Sequence, residues 1–527
     1  MRATWVGLFA TGFGLAGTLT ASGCIFVYYE DDCELAYDCP TAGTGGMSSS
    51  STSGTGGTGG TPASCIPSES KDPVADSCGV FVSSSLGLDG PEADRGTQAK
   101  PFKSISAALT KAGAARVYAC AESFTEAVTI SAAVELYGGL DCKSWKYVGA
   151  AKKTTLTAKA GDVPLELAGD ATIEDFAIAA ADATVDGGSS IAVIATQVTA
   201  SFARCDLAAG AGKAALAGMT PTDSVGPTDS NDVAIKGNDG RNACMDPSAQ
   251  LGGDAKENAL CPAASGGPIG GAGGQGATLK GGNGDSIPPD AKTALGGQGE
   301  PAADPMWSCV VGQGAIGANG TPGVPGDGAT GLAALGTLGT TGYTGAPGQP
   351  GGPAAPGQGG GGGGGAKGKA LCAGASSGGG GAGGCGGKGG LGGQAGGASI
   401  ALVSLGATLN FEKVTIKAGV GGLGGDGGNG QGGGKGGNGG NGGSGDASAS
   451  PTLDACNGGK GGQGGQGGKG GGGRGGHAIG IAYTGATMPL TKGATFTKGT
   501  PGKGGTGAAD MMHDGEPGVQ ENMQVFP

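Results

Sequence analysis

The sequence predicts an all-β chain: short parallel strands coiled as a solenoid, with a short helix at the N-terminal end and long glycine-rich insertions between turns. Three observations predict it. One apolar phrase is written three times, short strand-like runs follow one another without long helices, and glycine tracts separate the copies. The first copy runs Ser190-Ile191-Ala192-Val193-Ile194, passes through Phe202-Ala203-Arg204-Cys205-Asp206-Leu207 and closes at Ala209-Gly210. The second runs Ser399-Ile400-Ala401-Leu402-Val403 through Phe411-Glu412-Lys413-Val414-Thr415-Ile416 to Ala418-Gly419, in the same spacing. A looser third begins Ala478-Ile479-Gly480-Ile481 and continues through Gly485 to Phe496 and Gly499.

The N-terminus reads as an address. Met1-Arg2 is a short positive start, Trp5 to Ala21 is apolar, and small residues Ala21-Ser22-Gly23 precede Cys24. That pattern is a secretory signal over residues 1–23 and resembles the bacterial lipobox, with Ala21 where a leucine is usual; it makes Cys24 the lipidation site. Ile25 after the cysteine fits outer-membrane sorting. Residues 24–77 then form a lipid-anchored, cysteine-containing segment. Its stretch from Thr41 to Ser64, Gly/Ser/Thr with no apolar period, is a flexible stalk with a reach of roughly 25–30 Å.

The folded part is assigned residues 78–210, 398–419 and 477–527, with glycine-rich insertions at 211–397 and 420–476. Phe102, Ile105 and Leu109 recur at helical spacing behind Pro101, which predicts a short amphipathic helix. Strand-like runs follow at Arg116–Cys120, Ala127–Ile130, Val134–Tyr137, Thr154–Thr157, Pro164–Leu167, Ala171–Ile173 and Phe176–Ile178, each bounded by Gly, Asp, Ala or Ser. In the repeat, Ile191, Val193, Phe202 and Leu207 of one copy and Ile400, Leu402, Phe411 and Ile416 of the next are expected to face inward, with the copies on successive turns.

Composition limits the core and the partners. Of 527 residues 128 are glycine, while 4% are aromatic and 14% charged. Glycine has no side chain to bury and loses the most backbone entropy on ordering, so much of the chain cannot build an ordinary core. A net charge of −12 argues against nucleic acid and against electrostatic docking on anionic lipid. The two histidines, His477 and His513, leave little for histidine-based metal sites or acid–base chemistry. No metal or cofactor is expected.

Several motifs carry a resemblance. Leu88-Asp89-Gly90, then Gly96-Thr97, Pro101-Phe102, Ile105 and Ala108-Leu109, with Phe124-Thr125-Glu126 and Leu136-Tyr137-Gly138-Gly139, resemble pectin-lyase-like, DUF1565-type surface proteins. Within that group the chain is most similar to glycine-rich bacterial surface lipoproteins of the PE-PGRS-like kind, without the PE segment. The resemblance covers Cys78 to Gly210, the two later phrases, and Gly515-Glu516-Pro517-Gly518-Val519. It implies a right-handed parallel β-helix displayed at the cell surface and no particular activity.

Fourteen cysteines in such a chain point to an oxidising compartment. Lipidation uses Cys24. Cys205 aligns with Val414 and reads as a buried free thiol. Cys120 and Cys142 lie about one turn apart, and stacked turns put equivalent Cα atoms about 4.8 Å apart, inside the disulfide window. Proximity suggests Cys33 with Cys39, Cys65 with Cys78, Cys244 with Cys261, and Cys372 with Cys385; Cys309 with Cys456 follows by elimination.

The glycine tracts differ among themselves. Around Gly314–Gly326 and Gly336–Gly351 the triplet rhythm is collagen-like, but it breaks at Gly326-Asp327-Gly328 and at Leu332–Leu335, which a triple helix does not tolerate. Later triplets place Leu423, Asp426 and Asn429, then Lys435, Asn438 and Asn441, then Lys460, Gln463, Gln466 and Lys469 in register. At three residues per turn these form one polar stripe. Two readings stay open: loops on which the core does not depend, or polyglycine-II-like helices packed in layers against the strands. Gly421–Asp426 nearly matches a calcium-binding nonapeptide but has Gly428 where the apolar anchor belongs.

Catalysis on a strand face needs clustered carboxylates or a carboxylate with a cation. The candidates are Glu174 with Asp175, Arg204 with Asp206, and Glu412 with Lys413. They alternate with apolar residues as a solvated strand face does, and Ala203 stands where the next copy has Glu412, so no constant charged ladder forms. The sequence therefore predicts a non-catalytic, lipid-anchored lipoprotein of the outer membrane or cell surface with a structural, adhesive or envelope-matrix role. Its expected partners are the membrane, surface glycans and other envelope proteins. The alternative is a carbohydrate-binding or carbohydrate-cleaving protein.

Overall fold

Alternation of apolar and polar residues in short runs, without helical spacing between them, makes strands that must bury one face. The computed structural model describes residues 65–111, 115–149, 152–261, 268–288, 293–448, 450–485 and 488–527. The signal segment, the stalk, Cys24, Cys33 and Cys39 lie outside the described residues.

The strands form three six-stranded, wholly parallel sheets. In the first, the inward ladder is Val117, Leu136, Ile173, Phe202 and Phe411. In the second it is Val128, Leu165, Val193, Leu402, Ile481 and Met523. In the third it is Phe124, Leu156, Ile178, Leu207, Ile416 and Phe496. The three ladders meet in one core, closed by Ile105 and Ala108. Each fully buried large side chain stabilises by about 1.5–3 kcal/mol.

The helix spans Ile105–Thr110, and Ser104 caps it by accepting from the Ala107 amide at 3.2 Å. Glu126 accepts from the Ile105 and Ser106 amides, satisfying two more of the donors that a helix start leaves over. Asp89 in turn holds Ser104, accepting from its amide and its hydroxyl. The Asp-Gly and Phe-Thr-Glu motifs thus fasten the cap over the N-terminal end of the core.

The repeated phrase pairs in register: Ser190 lies opposite Ser399, and Ser399 opposite Ala478. Within a copy, the leading serine closes on the terminal glycine. Ser190 Oγ accepts from Gly210 N at 2.9 Å and Ser399 Oγ from Gly419 N at 2.7 Å. Two details differ from expectation. Ile191 and Ile400 face away from the main core, into a second apolar layer with Leu335 and Phe526. In the third copy Phe496 pairs with Ile416 rather than Phe411, and the first sheet ends at Thr408–Glu412.

A single right-handed β-helix solenoid with glycine looping out between turns is overturned. The strands lie in separate stacked parallel sheets, and the glycine tracts form a second packed body. Every third residue from Gly378 to Gly396 donates to every third residue from Cys456 to Arg474, at 2.8–3.2 Å. The tract 458–476 donates in turn, antiparallel, to residues 440–422 at 2.8–3.0 Å, and the next phase, 459–471, to residues 361–349. Gly317, Gly320, Gly323 and Gly326 donate to Lys460, Gln463, Gln466 and Lys469. Three residues per turn send successive amides toward different neighbours, so one tract bonds to several others; this is the layered, polyglycine-II-like reading. Close approach explains the glycine: a Cβ on Gly461 would lie 2.1 Å from the Ala382 carbonyl oxygen, and one on Gly464 1.9 Å from that of Cys385.

The glycine body also covers the strands. The ribbon Thr337–Gly339 with Gly342–Thr344 accompanies Leu335, and Tyr343 and Leu338 pack onto the outer face of the second sheet. Disulfides hold distant tracts together: Cys244–Cys372, Cys261–Cys385 and Cys309–Cys456, with Cys65–Cys78 at the N-terminal end. The local pairs Cys244 with Cys261 and Cys372 with Cys385 are therefore corrected. Local pairing assumes loops that fold on themselves, whereas the tract containing Cys385 runs beside segments more than a hundred residues earlier, with Gly380 bonded to Gly271.

Candidate functional site

Three places gather chemistry. The first is a corner of the strand body where Asp175, Arg204 and Lys413 each take a left-handed backbone, with φ of 59°, 52° and 54°. Arg204 reaches Asp175 at 3.0 Å and also pairs with Glu174. Asp175 is 1% exposed. Burial works against the Arg204 charge, but the bonds to Asp175 and Glu174 outweigh it and hold its pKa above the usual range. Burial raises the Glu174 pKa, and Arg204 offsets part of that rise. Of the other sequence candidates, Asp206 pairs with Lys153 at 2.7 Å and Glu412 with Lys413 at 3.5 Å. Each candidate carboxylate thus faces a cation; the Arg204 and Lys153 pairs link separate segments, whereas Glu412 and Lys413 are adjacent in sequence and exposed.

The second place is a thiol pair. Cys120 ends its strand in the first sheet and Cys142 follows a strand of the same sheet. With a Glu122 carboxylate oxygen, their sulfurs all lie within 4.8 Å of one another. The two expected partners are brought together as free thiols, whereas Cys205 is alone and wholly buried. Burial pushes both Cys120 and Cys142 upward in pKa. Burial would raise Glu122 as well, but the hydroxyl of Ser83, donating at 2.6 Å, helps hold it low. These three side chains are of the type that holds a thiophilic cation. Cys244, Cys372 and Asp446 form a similar group, but there the sulfurs are bonded to each other.

The third place is the outer face of the glycine body. In the tract 457–469 both glycines of each triplet are buried, while Lys460, Gln463 and Gln466 are exposed. The neighbouring tract exposes Lys435 and Asn441. The rows are joined into one surface: the Gln463 and Gln466 side chains donate to Gly433 and Gly430 oxygens, Asn457 accepts from Gly442 N at 2.8 Å, and Asn319 accepts from Gln463 N at 2.9 Å. The triplet rhythm shows each stripe in the sequence. That Asn319, from a collagen-like stretch, belongs to the same surface is not visible there, because nothing in a run of triplets states its neighbour.

No family model, no curated protein and no solved structure matches this chain.

Proposed function

We propose that the protein is a non-catalytic surface lipoprotein, exported across the inner membrane and anchored through lipid on Cys24, with a structural or adhesive role at the cell envelope. One observation carries this reading. In the Gly-Gly-X tract 457–469 the glycines fill the interior, and Lys460, Gln463 and Gln466 are held outward at every third position on a backbone bonded to its neighbours. The side chains buried elsewhere in the glycine body are mainly Ala, Ser and Cys, with Trp307. Such a body is a display scaffold. The four disulfides among the described residues support folding in an oxidising compartment. The pairing of each candidate carboxylate with a cation favours a strand body that supports rather than reacts.

The second reading, a carbohydrate-binding or carbohydrate-cleaving protein, is favoured by the polar character of the exposed face. Glycan-array binding combined with reducing-end release on the same ligands separates a cleaving protein from a non-catalytic one that adheres to glycans. The expected result is binding without release. Turnover of any glycan overturns the non-catalytic reading, and undiminished membrane retention of Cys24→Ser overturns the anchor.

A further inference from the structure

We propose that the face of the glycine body bearing Lys435, Asn438, Lys460, Gln463, Gln466 and Lys469 binds an extended acidic polysaccharide. The lysines pair with its anionic groups and the amides bond its hydroxyls. The inference rests on the adhesive reading and names the partner.

The chain as a whole is acidic, at −12. Yet the outward positions of the two adjoining rows, from Asn429 to Asn441 and from Asn457 to Lys469, hold no carboxylate. The row ends at Asp426, whose carboxylate is already taken by the amide and hydroxyl of Thr506 at 2.6 and 2.8 Å. Among the described residues Lys435 and Lys460 form no ion pair. Lys435 and Lys460, cations without an internal counter-ion in a molecule of opposite net sign, are charges left for a ligand, while Lys469 has the Asp426 carboxylate within electrostatic reach.

The chemistry of the face selects among glycans. Its rows carry no aromatic ring on which a neutral pyranose face could stack, so ionic pairing and amide hydrogen bonds remain. Its geometry selects for length. Outward residues recur about every 9 Å, and Lys460 and Lys469 stand about 28 Å apart along their tract. A sugar of one or two units touches one lysine, whereas a polymer touches several at once and gains by avidity. Because each tract is bonded to its neighbours every third residue, the face loses little entropy on binding.

The test measures binding of the full mature chain in detergent to polygalacturonate, its short oligomers, neutral dextran and anionic lipid vesicles, across salt concentration. Binding to polygalacturonate is expected to rise with chain length and fall steeply with salt. The variant Lys435→Gln/Lys460→Gln/Lys469→Gln is expected to bind at least about tenfold more weakly at low salt with an unchanged thermal midpoint. Wild-type-like binding by this variant, equal binding to dextran, or binding to vesicles but not to the polymer overturns the proposal. If the acidic polymers fail while the glycan array still shows a ligand, this face is wrong and the adhesive reading stands. If no glycan binds in either assay, both fall.

Discussion

The strand body and the glycine body are held together by opposite means. The strands bury Leu, Ile, Val and Phe side chains in three inward ladders, and their backbone bonds run only to the strands on either side. The glycine tracts bury few large side chains, mostly Ala, Ser and Cys with Trp307, and bond their backbones to neighbours in several directions. An apolar core tolerates exchange of one side chain for another of similar volume, because what counts is area removed from water and filled space. Where two glycine tracts touch backbone to backbone there is no such latitude: their spacing is the spacing of two peptide chains in contact, and at such positions one methyl group is already too much. The difference teaches that glycine here is a packing residue, used for closeness rather than flexibility.

The largest effect is expected inside the lattice. In Gly461→Ala/Gly464→Ala two methyl groups meet backbone carbonyls at 2.1 and 1.9 Å, where no side chain can move aside. Overpacking of this kind costs about 2–3 kcal/mol or more per site. The thermal midpoint is expected to fall by about 4–6 °C. A midpoint within about 2 °C of wild type would mean that the tracts are loosely held, and the comparison between the two bodies would collapse.

The strand body gives the next effect. Phe202 is 1% exposed and stacks on Phe411 with ring centroids 6.0 Å apart. Phe202→Ala is expected to cost about 3–5 kcal/mol, and Phe202→Leu much less. Denaturant titration of both variants measures the ratio. Equal losses from Leu and Ala would show that this core, too, depends on exact shape rather than buried volume.

How much of this was legible follows from the same contrast. The phrase at Ser190 and Ser399 could be aligned because its side chains differ from one another, so only one register matches Phe202 to Phe411. The Gly-Gly-X stripes could be read as stripes because Lys460, Gln463 and Gln466 recur every third residue. Which tract lies beside which could not be read, since a triplet repeat shifted by three is the same repeat. The links that break this degeneracy, such as Cys261 with Cys385, join residues far apart in sequence, and proximity points elsewhere. The Arg204 clamp was half visible: its residues were candidates, but their pairing depends on a left-handed corner at Asp175 and Arg204 that sequence spacing does not announce.

His477 sits where the two bodies join, at the end of a glycine tract and before the strand Ala478–Thr484. Its ring is wholly buried against Tyr343 and Phe526. Nδ1 accepts from Val519 N at 2.9 Å, so Nε2 carries the proton toward the Leu335 oxygen at 2.8 Å. Burial lowers the pKa to about 4, and Arg474 adds to the effect. In the unfolded chain the ordinary value is about 6.5. Between these values the unfolded state binds the extra proton and the folded state does not, so stability falls as pH drops from about 6.5 to about 4. The loss is up to about 3 kcal/mol. Urea unfolding as a function of pH should show this slope, and His477→Gln should flatten it. An unchanged slope in the variant would move the acid sensitivity elsewhere and leave the junction without a role in it.

The smallest effect makes the sharpest comparison, because it sets two adjacent glycines against each other. Gly432 occupies an outward position of its triplet, in register with Asn429 and Lys435, and a Cβ there meets nothing within 4 Å. Gly433 faces the next tract, and a Cβ there would lie 2.0 Å from the Gly464 carbonyl oxygen. The two share composition, neighbours and chain entropy, so any difference between their alanine variants reports the lattice alone. Gly432→Ala is expected to change stability by no more than about 0.5 kcal/mol, with a slight gain from the stiffer unfolded chain. Gly433→Ala should cost about 2 kcal/mol or more. Thermal unfolding of the pair decides it: equal midpoints would mean that position within the triplet carries no packing consequence, and the rule that glycine is needed only where two backbones touch would have to be abandoned.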